Sequence, residues 1–162
     1  MFTSKEQLLL RLRELGIATT THQHPAVFTV EEAQKHCSHL PGGHCKNLFL
    51  RDKKKRYWLI VTLNDTRIDL KSLGHQLGAS GLSLASPERL MEVLGVTPGS
   101  VTPFALINDS KHQVNVVLDD ALFGFELVNY HPLVNNATTA LTPDDLLKFI
   151  RTCGHNPKTV LL

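Results

Sequence analysis

The stretch Gly95-Val96-Thr97-Pro98-Gly99-Ser100-Val101-Thr102-Pro103-Phe104-Ala105-Leu106-Ile107-Asn108 decides how the rest of this chain is read. It follows Ser86-Pro87-Glu88, where Ser is suited to cap a helix and Pro to occupy its first position. That helix is expected to run to Leu94 and stop at Gly95. Pro98 and Pro103 fix φ and lack an N–H, while Gly99 permits close approach of another group. A loop pinned in this way holds its backbone N–H groups outward in one geometry. Such groups cradle an anion or polarise an ester carbonyl. The apolar run Phe104–Ile107 is then expected to be a strand. The plainer alternative is an ordinary helix-to-strand connection.

Upstream, Thr3-Ser4-Lys5-Glu6 has capping-box spacing, with Thr3 as the cap, and Leu8, Leu12 and Leu15 continue at helical spacing to Gly16. Ile17–His24 is rich in β-branched residues and is expected to be a strand that Pro25 breaks. Thr29-Val30-Glu31-Glu32 repeats the capping pattern and opens a helix to about His36. Cys37–Cys45, with Pro41-Gly42-Gly43, reads as a loop. Its Cys37, His39, His44 and Cys45 lack the paired short spacings of structural zinc sites, so no metal is expected. His22 and His24 share a strand face, but two histidines without a third ligand are weak evidence for a metal.

Lys46-Asn47-Leu48-Phe49-Leu50 and Tyr57–Leu63 are expected to form a hairpin across the charged turn Arg51–Arg56. That turn is either a solvated tip or a phosphate contact. Asp69 caps a helix through Leu77, Gly78–Gly81 turns, and Leu82–Ala85 is a short strand. Strands are expected at Val114–Leu118, near Leu127–Asn129 and at Thr138–Leu141, with a helical turn at Asp119–Phe123. Thr142-Pro143-Asp144-Asp145 starts a last helix through Arg151, ended by Gly154. Many strands with short connections and peripheral helices indicate a mixed α+β or α/β domain.

The 162 residues suit a single domain, 1–162, and 42% apolar with 20% charged residues fits a globular chain. The formal net charge of +2 neither demands nor forbids a nucleic-acid partner. No apolar run approaches a membrane span, and Met1–Arg11 lacks the apolar core of a signal peptide. Three cysteines without Cys-x-x-Cys spacing fit reduced thiols, so a cytoplasmic location is expected.

Four collinear stretches carry a family resemblance. They are His24–Ala33 (HPAVFTVEEA), Leu40–Leu50 (LPGGHCKNLFL), Leu94–Leu106 (LGVTPGSVTPFAL) and Asn129–Leu133 (NYHPL). Over essentially its whole length the chain resembles the prolyl-tRNA deacylases. These are free-standing trans-editing proteins of the ProXp-ala (PrdX) type, related to YbaK and to the editing insertion domain of bacterial prolyl-tRNA synthetases. Within the match, Gly99-x-x-x-Pro103 is the family's loop motif, Lys46 its site lysine and His131 its site histidine.

The resemblance implies a compact editing domain with a central mixed, curved sheet. It implies hydrolysis of the ester joining a wrong amino acid to the tRNA terminal ribose, and no cofactor. The expected substrate is Ala-tRNA(Pro), with Pro-tRNA(Pro) spared. The alternatives are another mischarged tRNA such as Cys-tRNA(Pro), or a silent tRNA-binding or synthetase-associated module. Expected partners are the acceptor end of mischarged tRNA(Pro) and prolyl-tRNA synthetase, with no membrane.

An aminoacyl ester is already activated, so the enzyme need only place a water and stabilise charge on the carbonyl oxygen. Gly99, with Ser100, Val101, Thr102 and Pro103, supplies the loop for that task. Lys46 is expected to bind the terminal phosphate or ribose, and Asn47 to orient Lys46 or meet the ribose. His131 is expected to line the pocket or hold the amino group or water. No Ser-His-Asp arrangement is evident, so covalent catalysis is the poorer expectation.

Overall fold

The computed structural model describes residues 2–162, apart from the side chain of Val30. Its helices are α1 (Lys5–Glu14), α2 (Val30–Cys37), α3 (Leu70–Leu77), α4 (Pro87–Leu94) and α5 (Pro143–Thr152). Its strands are β1 (Thr20–Gln23), β2 (Gly43–Arg51), β3 (Tyr57–Leu63), β4 (Ser83–Leu84), β5 (Val114–Asp119), β6 (Val128–Tyr130), β7 (Ala137–Leu141) and β8 (Lys158–Val160). They form one mixed sheet in the order β1-β7-β6-β2-β3-β5-β8, with β4 added to β2.

β3 is the axis of the sheet, and Trp58–Thr62 are buried without a break. Leu59 and Val61 join a core with α1, α4 and α5, while Trp58 and Ile60 face a second core under α3. A continuous apolar strand is what burial on both faces requires. β2 pairs antiparallel with β3 from Cys45 to Arg51. Its other edge is shared. Parallel β6 pairs only at Gly43 and His44, and β4 only at Leu50 and Arg51. Residues 45–49 therefore have no strand neighbour on that edge, and the sheet parts there.

The helix boundaries follow from caps. Thr29, Asp69, Ser86 and Thr142 each accept a backbone N–H at the start of α2, α3, α4 and α5, as their positions in the sequence imply. α1 differs: Ser4, not Thr3, is its cap, and the reciprocal partner is Gln7 rather than Glu6. Thr3 instead donates its N–H to Asn108 Oδ1, at 2.9 Å. β1 begins at Thr20, because Ile17 is drawn into the core beside α1. The Cys37–Cys45 loop is shorter than expected, since β2 already starts at Gly43.

The main correction concerns Phe104–Ile107. The expected strand is a 3-10 helix, Pro103–Asn108. Pro103 brings no N–H to a ladder, and Thr102 caps the turn by accepting from Phe104 N at 3.3 Å. Phe104, Ala105 and Leu106 are all buried. A short, uniformly apolar run does not distinguish a buried helical turn from a strand. β8 was not anticipated: Lys158–Val160 is exposed or half-buried edge strand beside β5.

Candidate active site

Where the sheet parts, a groove of about 600 Å3 runs between α2 and the end of β3, past Gln34, Gly42, Asn64 and Phe125. A recess of about 50 Å3 adjoins it, and the two share Ala33, His44 and Asn64 as walls. The recess is also lined by Cys37, Cys45, Asn47, Asn129, Tyr130, His131 and Thr138. Those residues come from α2, β2, β6, β7 and the turn after β6, so no short motif contains them. A cleft of about 580 Å3 lies at the hairpin tip, lined by Lys54, Arg56, Lys71 and His75 among others. It is much larger than the recess, but it lies about 25 Å away along β2 at the usual strand rise. Buried polar groups, Asn129 and Thr138 among them, converge at the recess, which makes it the candidate site.

Alternation along β2 puts Cys45, Asn47 and Phe49 on one face. Asn47 Nδ2 donates to Val101 O at 3.1 Å, which ties the recess to the Gly99–Pro103 loop. A carbonyl only accepts, so this bond fixes the amide orientation and leaves Oδ1 toward the interior. Asn47 Oδ1 is buried and has no partner. An orphaned buried acceptor costs about 1–3 kcal/mol. His131 Nδ1 lies 2.9 Å from Ala137 O and must carry the proton of that bond. Burial pushes the His131 pKa below its ordinary value, with the nearby His24 adding to the shift and the Ala137 carbonyl opposing it. The imidazole is therefore neutral at pH 7, with Nε2 a lone-pair acceptor.

Asn129 Nδ2 donates to Pro41 O and Gly43 O, at 3.0 and 3.1 Å, and closes the floor. Burial pushes the Cys45 thiol up to about 11, and the thiol donates to Gly43 O at 3.7 Å, while the Tyr130 hydroxyl beside it is buried without a partner. Burial also raises the Tyr130 hydroxyl well above its ordinary value, and the adjacent Cys45 adds to this. Both stay protonated at neutral pH, and a protonated, buried thiol is a poor nucleophile.

The expected site residues divide. Asn47 and His131 share the recess, and Val101 is bonded to Asn47 through its carbonyl. Gly99 sits in the 3-10 turn Pro98–Ser100, beside Phe28, Val27 O and Asn135 Nδ2. Its φ is not positive, and an added methyl would lie 3.4 Å from Asn135 Nδ2. The conformational freedom of glycine is thus not used there. Pro98 has no N–H and Ser100 N donates to Thr97 O at 2.9 Å, so Gly99 carries the N–H of this turn that has no backbone partner among the described residues. Ser100, Thr102 and Pro103 are buried, Thr102 capping the next turn. Lys46 does not line the recess. It pairs with Thr62 and leaves β2 on the face opposite Asn47, half-buried and in no ion pair among the described residues.

Two residues stand out that the sequence reading gave no role, His24 and Thr138. His24 Nε2 lies 2.8 Å from Thr138 Oγ1, and Thr138 Oγ1 lies 3.7 Å from Cys37 Sγ. Thr138 belongs to Ala-Thr-Thr-Ala, which reads as plain strand, and carries no motif signal. Among the described residues, no three His, Cys, Asp or Glu side chains converge as metal ligands.

A small polar recess at the opening of a mixed sheet, tied to a proline-pinned loop, is suited to hold a small acyl group and to polarise its ester carbonyl. The chain belongs to the aminoacyl-tRNA editing domain family, whose pattern it matches over residues 24–149. It is 44% identical over 158 residues to mouse prolyl-tRNA synthetase associated domain-containing protein 1, covering 94% of this chain and 93% of that one. It is 39% identical over 160 residues to the prolyl-tRNA editing protein ProX of Acetoanaerobium sticklandii, covering 98% of each. Among solved structures, one titled a putative trans-editing enzyme for prolyl tRNA synthetase superposes with a TM-score of 0.73 at 22% identity. That match covers 100% of this chain and 99% of the other. The protein is an aminoacyl-tRNA deacylase of the prolyl-tRNA editing family. No helix among the described residues is long and apolar enough to cross a membrane.

Proposed function

We propose that the protein hydrolyses Ala-tRNA(Pro) and spares Pro-tRNA(Pro), acting in trans beside prolyl-tRNA synthetase. The observation that carries this is the size of the recess, about 50 Å3. A cavity of about 150 Å3 takes a benzene ring. One a third that size accepts a methyl group and collides with a pyrrolidine ring. A synthetase pocket built for proline gains only about 1–3 kcal/mol per methylene against a smaller substrate, so a second, smaller sieve is required.

In this reading the alanyl side chain enters the recess between Cys37, Cys45 and Tyr130. The Gly99 N–H faces the ester carbonyl and stabilises the oxyanion as water adds. Covalent attack by Cys45 is disfavoured by its raised pKa. Lys46 leaves the strand next to the recess but on its other face. That suits the phosphate leading to the terminal ribose better than the ester itself. The groove past Gln34 and Asn64 receives the 3′ end.

The test is a panel of Ala-, Cys- and Pro-tRNA(Pro) incubated with pure protein, with free amino acid measured. Alanine release with proline retained is expected. Equal rates for alanine and proline would defeat the sieve, faster release of cysteine would reassign the substrate, and no release would indicate a silent module.

A further inference from the structure

We propose that the cleft at the tip of the β2–β3 hairpin docks the phosphate backbone of the substrate's duplex stem, through Lys54 and Lys71 with Arg56 as a third, fixed cation. This rests on the deacylase reading of the recess for where the ester lies, and adds a second contact about 25 Å from it along β2.

The charged turn is not a loose solvated tip. Lys53 N donates to Ser80 O at 2.9 Å, which joins the tip to the turn after α3. Within the tip, Asp52 N donates to Arg56 O at 3.0 Å and Lys55 N to Asp52 O at 2.9 Å. Gly74 of α3 presses on the same turn, and a methyl added there would collide with Ala79 O. Arg56 is held three ways. Its Nε donates to Asp52 Oδ2 at 2.7 Å, its Nη2 donates to Gly78 O at 3.3 Å, and its guanidinium lies 5.5 Å from the centre of the Trp58 ring. Asp52 is fully engaged, since it also accepts from Arg56 N and Trp58 Nε1. The hairpin wall and the α3 wall of the cleft are therefore fixed relative to each other.

The cleft combines an apolar floor with a basic rim. Leu70, Ala79 and Leu82 are buried or half-buried, while Lys54, Arg56, Lys71 and His75 are exposed. Its lining contains no Asp or Glu. Lys54 and Lys71 make no ion pair among the described residues. Asp69, at the start of α3, is taken up as the helix cap by Lys71 N and Ser72 Oγ, at 3.1 and 2.9 Å. The net charge of +2 hides this concentration, because residues 51–56 alone hold five basic side chains and one acidic. Unpaired lysines around a groove without acids attract a polyanion.

Alternation puts Lys46, Leu48 and Leu50 on one face of β2, and α3 covers that face through Leu73 and Leu77. Lys46 and the cleft thus lie on the same face of the sheet. A nucleic acid with its terminal phosphate at Lys46 can run along that face, presenting a charge at every nucleotide. The terminal nucleotide cannot span about 25 Å, so the phosphates that reach the cleft belong further along, where the acceptor end becomes duplex.

The experiment measures binding of uncharged tRNA(Pro) by fluorescence anisotropy over a series of salt concentrations, for the wild-type protein and for the double variant Lys54→Ala, Lys71→Ala. The variant is expected to bind at least about tenfold more weakly at low salt. Its slope of log affinity against log salt should be shallower by about 2, one for each lysine. Replacing both lysines by Arg should retain the slope. Hydrolysis of the alanyl ester of the CCA trinucleotide, which has no stem, should be the same for wild type and the Ala variant, with melting curves to establish folding. An unchanged salt slope in the folded Ala variant would overturn the proposal. An equal loss on the trinucleotide ester would also overturn it, since the cleft would then act through the recess. So would a single-stranded RNA of the stem's length that binds as tightly as the stem duplex and loses as much in the variant. Failure of the wild-type protein to release alanine would remove the alanyl reading instead, and the binding slopes would still decide the cleft.

Discussion

Lys46→Ala separates binding chemistry from folding more cleanly than any other single change. Lys46 lies within the β2–β3 ladder opposite Thr62, and its backbone bonds do not depend on its side chain. The side chain is half-buried and makes no ion pair among the described residues. Removing it leaves no buried group unpaired, so stability should move by no more than about 0.5 kcal/mol. If Lys46 meets a phosphate of the single-stranded acceptor end, the variant loses a charge-assisted contact. Such contacts contribute about 1.5–3 kcal/mol, which is about 10- to 150-fold in kcat/KM.

A phosphate contact has a second signature. Each contact to single-stranded nucleic acid contributes about 0.7 to the slope of log affinity against log salt. The assay is deacylation of Ala-tRNA(Pro) below saturation at four or five salt concentrations, alongside thermal melting. The expected result is a large loss in kcat/KM at low salt, a shallower salt slope by about 0.7, and an unchanged melting temperature. An unchanged kcat/KM would remove Lys46 from the site. A loss of activity with an unaltered salt slope would mean that the lysine does not act on a phosphate.

Three further outcomes follow from the same geometry. Cys45→Ser should retain most activity, measured as alanine release, because burial holds the thiol near a pKa of about 11 and leaves it unreactive. The His131 pKa is depressed by burial, so its neutral form persists below the ordinary histidine value of about 6.5. As pH falls below that value the unfolded chain takes up the proton first, so His131's contribution to stability declines until the folded pKa is passed. A kcat/KM profile should therefore stay level down to about pH 6.5 and fall only below it, as protonated Nε2 stops accepting; an inflection above pH 7 would contradict this. Asp109 accepts from His155 Nε2, Val114 N and Gln113 N, and these bonds outweigh the burial that would raise its pKa. Asp109→Ala should cost about 3 kcal/mol or more by urea denaturation, since it strands buried donors.

What was legible in the sequence is what local chemistry decides. Ser86-Pro87, Asp69 and Thr142-Pro143 mark helix starts because the cap and the first turn lie within four residues of each other. The β2–β3 hairpin was legible because a continuous apolar strand follows a charged turn. Phe104–Ile107 was misread because its conformation is set by Pro103, by the Thr102 cap and by burial on all sides, and the apolar run carries no period. The editing family was legible in the collinear stretches around Lys46, Gly99 and His131. The recess was not. Thr138 meets His24 across 114 residues and Asn47 meets the Val101 carbonyl across 54. Such contacts exist only once strands are paired.

The pairing also explains why the site sits where it does. A fully paired β2 would bury its second edge against a neighbouring strand, and no group could approach Asn47. Instead β6 leaves after His44 and β4 arrives at Leu50. The segment between is covered in part by the Gly99–Pro103 loop, through the Asn47–Val101 bond, and by Ala85 N donating to Phe49 O at 2.9 Å. Two prolines in that loop restrict its retreat. A ring too large for the recess must then push on its lining from α2, β2, β6 and β7, and overpacking a close-packed site costs about 1–3 kcal/mol. In the proposed reading that penalty falls on the proline ring and spares the alanine methyl. The size of the recess is then what separates alanine from proline, so enlarging it by a substitution such as Tyr130→Ala should bring the rates for the two esters closer together, as measured by release of each amino acid.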